Sequence, residues 1–140
     1  MKALKCRECG REYPLTATHV CEFDFGPLEV AYDYDRIKKS LTKAAIASRP
    51  KSMWRYRELM PVFADETPVT LGEGFTPLVH ATRLGRQLGM DRLFIKDESL
   101  NPTNSFKARG QSAAITRAKG LGVTAVSVPS AGNAGNAMAA

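Results

Sequence analysis

Between residues 93 and 140 the sequence switches pattern four times, and the order of those switches limits the fold. Residues 93–96 (LFIK) form a short apolar run and read as a strand. Ser105 can cap a helix from Phe106 to about Lys119, closed by Gly120 and Gly122. Residues 123–128 (VTAVSV) are rich in β-branched side chains and read as a buried strand. PSAGNAG (129–135) is a loop, and NAMAA (136–140) opens another helix. Strand, helix, strand, loop, helix predicts an α/β fold, a three-layer parallel sheet flanked by helices. So few strands leave little core and open sheet edges. The chain therefore reads as truncated, the N-terminal piece of a longer enzyme.

In such sheets ligands sit at the carboxyl ends of strands, and two polar loops are predicted at that edge. The first, NPTNSFKARG (101–110), puts Lys107 at the start of a helix. A helix N-terminus carries unpaired N–H groups and a partial positive charge. That field, and any burial, disfavour a protonated amine. A neutral amine is what condensation with an aldehyde requires, and pyridoxal 5′-phosphate is the common cellular aldehyde used so. The plain alternative is a solvated lysine. Gly110, inside the helix at a cost of roughly 1 kcal/mol against Ala, permits close packing or close approach of a ligand. In the second loop, PSAGNAGN (129–136), Gly132 and Gly135 let a ligand approach the backbone, and the helix start behind them suits a carboxylate. Asn133 can bond a ring hydroxyl. The loop lacks the GxGxxG spacing of dinucleotide sites.

Upstream, composition separates a short Cys-bearing, turn-rich unit (1–34), a helix and basic linker (35–66), and the α/β region (67–140). Leu28, Val30 and Tyr32 alternate with Glu29, Ala31 and Asp33, which predicts a strand. Asp35 can cap a helix through Ile37, Leu41, Ala44 and Ala45. Pro50 and Pro61 bound the linker, and Gly89 ends a short helix over ATRLGRQL (81–88). The net charge is +6, and the excess is local, because residues 36–57 carry Lys and Arg with no acid. Such a stripe can attract nucleic acid or a phosphorylated small molecule, or be a solvated helix and linker. Trp54 and Tyr56 can stack on bases or anchor the helix to its neighbours. No apolar run approaches about 18 residues, so no membrane span is expected. MKALKCRECG has no apolar signal segment, and the cytoplasm is the expected compartment.

All three cysteines fall within the first 21 residues. An odd number argues against a disulfide framework. Cys6-x-x-Cys9 is half a zinc knuckle, and Cys21-x-x-Asp24 stands where the other half belongs. Structural zinc prefers N and S ligands and tolerates Asp. His19 is the other nearby donor. Two readings stay open: a degenerate zinc ribbon, and a ribbon-like β unit without metal, packed on Phe23 and Phe25.

LGEGFTPL (71–78), LFIKDESLNPTNSFKARG (93–110) and PSAGNAGNA (129–137) resemble, in order and spacing, the threonine synthase family. These are pyridoxal-phosphate enzymes of the tryptophan-synthase-β-like class, fold type II. CRECG (6–10) and VCEFDFGPLEVAYDYD (20–35) resemble that family's small Cys-containing extension. The likeness covers nearly the whole chain. It implies that Lys107 holds the cofactor covalently and then serves as acid and base. It implies that Asn133 bonds the cofactor's 3′-hydroxyl, and that Ser105 and Phe106 flank the lysine and shape the cofactor wall. Ser130, Ala131, Gly132 and Asn133 would line the substrate carboxylate pocket. The implied reaction converts O-phospho-L-homoserine and water to L-threonine and phosphate by β,γ-elimination and replacement. The implied partner is thus a small amino-acid phosphate, not nucleic acid or membrane, in a homodimer. The cradle for the cofactor phosphate is expected beyond Ala140, so this stretch alone is expected to be inactive.

The sequence departs from that family's common pattern at three positions. Many members have glycine at Asn104, aspartate at Ala108 and threonine at Ala134. SFKARG (105–110) also resembles the serine/threonine ammonia-lyase relatives, which keeps that activity, or another β-replacement, as an alternative. A zinc-ribbon nucleic-acid-binding module with a basic arm is the alternative from a different class, although such binding does not require the loops of 71–137.

Overall fold

The structure, a computed structural model, describes residues 1–63 and 65–140. Its N-terminal unit is a three-stranded antiparallel sheet. β1 (Ala3–Cys6) is central, with β2 (Glu12–Tyr13) on one side and β3 (Leu28–Ala31) on the other. Leu4 pairs with Tyr13 across one ladder and with Val30 across the other. The alternation around Leu28 and Val30 is thus a strand, as expected, ending at Ala31. Ala3, Cys6 and Cys21 are its buried side chains. A unit this small cannot enclose a large apolar core, and two of its three most enclosed groups are thiols.

Two short helices follow where one was expected: α1 (Tyr34–Ser40) and α2 (Lys43–Ser48). The cap of α1 is Asp33, not Asp35. Its carboxylate accepts the Arg36 N–H at 2.9 Å, whereas Asp35 pairs with Lys38 on the surface. The break has a local cause. Ser40 Oγ donates to the Ile37 carbonyl, and Thr42 Oγ1 accepts the Ala45 N–H at 3.1 Å, starting a new helix. Side chains of this type compete with the helix ladder for backbone partners.

The basic linker folds back on the chain as tight 3₁₀ turns over Met53–Leu59. Arg49 grips Glu58 with both guanidinium nitrogens, at 2.6 and 2.7 Å, and also donates to the Arg55 carbonyl. Arg55 Nε donates to the Ile46 carbonyl and Arg57 Nη2 to the Phe63 carbonyl. These three arginines therefore satisfy backbone and carboxylate oxygens of their own chain. Trp54 is an anchor: its indole N–H donates to Glu73 at 2.8 Å.

The C-terminal half carries β4 (Leu78–His80), α3 (Thr82–Leu88), β5 (Phe94–Lys96), α4 (Lys107–Gly120) and α5 (Asn133–Ala139). Gly89 ends α3 in the left-handed region, as expected. The parallel sheet does not form among the described residues. β4 and β5 pair antiparallel, Val79 opposite Ile95. Residues 123–128, expected as a buried strand, are extended without a ladder partner, and Val123 and Val126 are exposed. A β-branched run becomes a buried strand only where neighbouring strands supply hydrogen bonds and cover, and the described residues supply neither. The elements are α/β in kind, with apolar faces on β4 and β5 left open. No helix among the described residues is long and apolar enough to cross a membrane.

The loop before β4 sets how closely the linker packs. Gly74 has φ +99, and a Cβ there would lie 2.4 Å from the Met53 backbone nitrogen. Gly72 has φ +86 but nothing within 4 Å of its Cβ position. Gly74→Ala is expected to destabilise by roughly 2–4 kcal/mol, strain plus collision, and Gly72→Ala by about 1–2 kcal/mol from strain alone. Urea denaturation of both variants checks the difference.

Candidate active site

Lys107 opens α4, and the segments before it are fixed by one carboxylate. Asp97 caps the 3₁₀ turn Glu98–Leu100, accepting the Ser99 N–H at 3.0 Å. This turn presents Glu98 to three donors. Arg109 grips it with Nε and Nη2 at 2.7 and 2.9 Å. The Thr76 hydroxyl donates at 2.5 Å and the Asn101 amide at 2.9 Å. Asn101, itself buried, then accepts the Gly74 N–H at 3.1 Å. Lys96 closes the cluster by donating to the Thr76 carbonyl. The Arg109 guanidinium first, then the Thr76 hydroxyl, hold the Glu98 carboxyl down from 4.5 to about 2.

A second carboxylate braces the same loop. Glu73 is fully buried and accepts from Trp54, the Thr70 hydroxyl and the Leu71 N–H. Burial pushes its carboxyl up, but its own N–H, the Leu71 N–H and the Thr70 and Ser112 hydroxyls outweigh it, and the net direction is down. The loop also lies on the narrow face of α4 formed by Ala108, Ser112 and Thr116, one turn apart and all buried. Thr116 Oγ1 accepts the Val69 N–H at 2.9 Å while donating to the Ser112 carbonyl at 2.7 Å. Residues of this size let the loop backbone lie against the helix.

The approach to Lys107 is strained in a specific way. Thr103 and Asn104 both have positive φ, 60° and 52°. The chain then straightens at Ser105, whose buried hydroxyl accepts the Lys107 N–H at 3.2 Å. The expected cap therefore forms one residue into the turn, with α4 beginning at Lys107 and not Phe106. The Lys107 side chain is exposed, which corrects the expectation that burial contributes to its chemistry: the described residues cover α4 on the Ala108 face, and the lysine points elsewhere. Its amine lies 4.6 Å from the Phe106 ring centre. Among the described residues it has no hydrogen bond and no ion pair.

The second loop ends in α5, which packs on α4 and on the Pro102–Asn104 turn leading to Lys107. Ser130 Oγ accepts from the Gly132 and Gly135 N–H groups at 3.1 and 2.9 Å. Its own proton is left to donate outward. Ala131, Gly132 and Asn133 are exposed, and the Asn133 amide has no partner among the described residues. The expected residues thus lie on two helices in contact. A primary amine and an amide without competing partners are the donor set an aldehyde with a ring hydroxyl requires, so the residues present fit pyridoxal phosphate. A cavity of about 450 Å³ lies elsewhere, between α1 and the 57–63 segment. The four N-terminal donors, Cys6, Cys9, Cys21 and Asp24, do converge, with ligand atoms within 4.8 Å of one another; His19 is not among them.

Sequence reasoning missed the Glu98–Arg109 clamp and the roles of Glu73, Thr76 and Asn101. The available signal was Glu73 and Thr76 inside LGEGFTPL, acid and hydroxyl in a loop of tight turns.

The family model described as "Pyridoxal-phosphate dependent enzyme" matches residues 69–140, half of the chain. The chain belongs to this family. A second model, "NinF protein", matches residues 5–29. Among curated relatives, the threonine synthase of Methanocaldococcus jannaschii is 39% identical over 97% of this chain and 34% of its own length. That of Methanosarcina acetivorans is 41% identical over 99% and 34%. That of Synechocystis sp. is 49% identical over 61% and 22%. The chain thus spans about a third of the length of the curated relatives it matches most fully. No solved structure matches it. The match begins at Val69, whose N–H donates to Thr116 Oγ1 on α4.

The clamp predicts a pH signature. Glu98 has a depressed carboxyl, so its stabilisation is fully present above about pH 4.5 and lost as pH falls toward 2. Urea unfolding of wild type and Glu98→Gln is expected to differ most above pH 4.5 and to converge as pH approaches 2.

Proposed function

We propose that the protein is a threonine synthase-type enzyme, turning O-phospho-L-homoserine and water into L-threonine and phosphate. The observation that carries the reading is the Lys107 amine at the head of α4, without a hydrogen-bond or ion-pair partner among the described residues, on a helix locked by the Glu98–Arg109 clamp. Support comes from the relatives named threonine synthase, which align across both the extension and the lysine segment.

When bound, pyridoxal phosphate supplies an aldehyde for amine attachment and a ring that stores the electrons left by proton loss. In this reading Lys107 is the attachment point. Freed by exchange with the substrate amine, the Lys107 amine would take the Cα proton and pass it on before taking one from Cβ; as phosphate left from Cγ it would return a proton to Cγ, and after water added at Cβ it would return one to Cα. Its position suits neighbouring carbons because the helix fixes the Lys107 backbone while four methylenes leave the amine its reach. Asn133 bonds the cofactor's ring hydroxyl. Ser130, Ala131, Gly132 and Asn133 line the substrate carboxylate pocket, with Ser130 donating its hydroxyl proton while its oxygen holds the Gly132 N–H. Ser105 holds the first N–H of α4, and Phe106 provides an apolar wall beside the amine. Parallel strands flanked by helices around this edge, with residues 1–34, 35–66 and 67–140 as successive units, complete the proposed architecture.

Borohydride reduction of the full-length protein is expected to fix the cofactor on the Lys107 peptide, and Lys107→Ala is expected to lose both this label and turnover. A label on another lysine overturns the assignment. Substrate comparison then tests the reaction: phosphate released from O-phosphohomoserine is expected, whereas ammonia released from serine or threonine, without phosphate chemistry, assigns a lyase of the dehydratase kind.

A further inference from the structure

The N-terminal unit holds two loops of the same construction. In the first, the Cys6 N–H donates to the Arg11 carbonyl at 2.8 Å, and the Gly10 N–H returns to the Cys6 carbonyl at 3.1 Å. In the second, the Cys21 N–H donates to the Gly26 carbonyl at 2.8 Å, and the Phe25 N–H returns to the Cys21 carbonyl at 3.0 Å. The offsets are identical, five residues forward and four back. The fifth residue of each loop has positive φ, Gly10 at 76° and Phe25 at 56°. Each leading sulfur also receives a backbone N–H, Cys6 from Cys9 at 3.5 Å and Cys21 from Phe23 at 3.4 Å. A phenylalanine held in the left-handed region is costly, so this second loop is not a default turn. By position, Asp24 in the second loop stands where Cys9 stands in the first.

The side chains of the two loops face one another at the spacing of a metal tetrahedron. Zinc–sulfur bonds of about 2.3 Å and zinc–oxygen bonds of about 2.0 Å put two sulfurs about 3.8 Å apart and a sulfur–oxygen pair about 3.5 Å apart. Cys9 Sγ and Cys21 Sγ are 3.6 Å apart, and Cys6 Sγ lies 3.4 Å from Asp24 Oδ1. All four donors fall within 4.8 Å of one another. The surroundings are those of thiolate ligands. The Tyr13 hydroxyl accepts the Glu22 N–H at 3.1 Å, which directs its own proton to Cys21 Sγ at 3.0 Å. The Gly26 N–H donates to Asp24 Oδ1 at 2.9 Å, orienting the carboxylate. A Cβ on Gly26 would come within 2.9 Å of Cys6 Sγ and 3.0 Å of Asp24 Oδ1, so glycine leaves this space to the ligands.

From this we infer that Cys6, Cys9, Cys21 and Asp24 bind one structural zinc ion, closed to further ligands. Three thiol protons pass to solvent on binding, and the bound set carries two net negative charges. Lys5, Arg7 and Arg11 flank the first pair of ligands in sequence and bring positive charge nearby, Arg7 being shared with Glu29. Arg11 also stacks on Phe23 at 3.8 Å, joining the two loops. Three soft thiolates with one carboxylate in tetrahedral spacing favour zinc over calcium or magnesium, which take oxygen ligands in larger number. The site is separate from the Lys107 chemistry and its test does not use turnover.

The full-length protein, purified without added metal and passed through a desalting column, is expected to carry one zinc per chain by mass spectrometry. Exchange with cobalt is expected to give a tetrahedral spectrum with thiolate-to-metal charge transfer. Asp24→Ala is expected to weaken zinc at least about tenfold in competition with a chromophoric chelator, and Asp24→Cys to restore binding with stronger charge transfer. Tyr13→Phe, which keeps the ligands, is expected to weaken zinc by about 10–100-fold. Metal-free protein with three titratable thiols that takes up neither zinc nor cobalt overturns the inference. So does metal-free protein with one titratable thiol and a Cys9–Cys21 disulfide. Zinc retained undiminished in Asp24→Ala removes Asp24 from the ligand set and overturns the four-ligand site.

Discussion

The Glu98 carboxylate is the group on which the arrangement around Lys107 depends. It joins three stretches of the chain: the 71–77 loop through Thr76, its own turn through Asn101, and α4 through Arg109. Charge-assisted hydrogen bonds are worth about 1.5–3 kcal/mol each where water is excluded. Here Glu98 and Arg109 keep about a third of their side-chain surface, so solvent screening reduces that figure. The larger consequence is positional. Arg109 lies two residues after Lys107 on the same rigid helix, so fixing the guanidinium fixes where the lysine backbone can be. The clamp also matters for charge. Glu98 is matched by an arginine, which stays protonated, and so it does not pair with the lysine, which the proposed chemistry needs neutral.

The elements close to local chemistry were legible in the sequence. Gly89 stopping α3, the strand around Phe94 and the helix after Ser105 each follow from one or two residues with a strong local preference. Lys107 was expected at a helix start and does open α4, whereas Asn133 was expected in a loop and instead opens α5, three residues before the expected helix. What escaped was set by distant partners. Glu98 and Arg109 are unremarkable polar residues until the loop carrying Thr76 is brought between them. Residues 123–128 show the converse: a strong β preference produces an extended segment, but a ladder needs neighbours that the described residues do not provide. The helix break at Leu41 escaped because apolar spacing continued across it, while Ser40 and Thr42 were already drawing backbone groups away.

The positions where the sequence leaves the common threonine synthase pattern divide once geometry is considered. Asn104 has φ 52°, and asparagine is the side chain that tolerates this region best after glycine. Exchanging glycine for asparagine there preserves the turn and carries no message about substrate. Ala108 is buried on the face of α4 that meets the 69–76 loop, so its size answers to packing against that loop. Ala134 is different. It lies in the first turn of α5, half-buried, directly after Asn133. Of the three, it is the one whose side chain stands beside the proposed substrate residues, and discrimination by the phosphate would register there.

The extension and the lysine meet opposite ends of one helix. Arg117, in the last turn of α4, donates to the Leu15 carbonyl of the N-terminal unit at 2.7 Å, pairs with Glu66 and covers the Phe63 ring. α4 has 14 residues, so about 15 Å separates Arg117 from Lys107 along its axis. Among the described residues the N-terminal unit reaches α4 at Arg117, not at Lys107. Its effect passes through the helix: it anchors the far end while Glu98 anchors the near one. A helix of this length is marginal in isolation, and its face toward the loop is formed by Ala108, Ser112 and Thr116, which bury little apolar area. Restraint at both termini therefore does for α4 what a large hydrophobic face does for most helices. This gives a unit of three strands a physical reason to precede Lys107: it anchors the far end of the helix that the lysine opens.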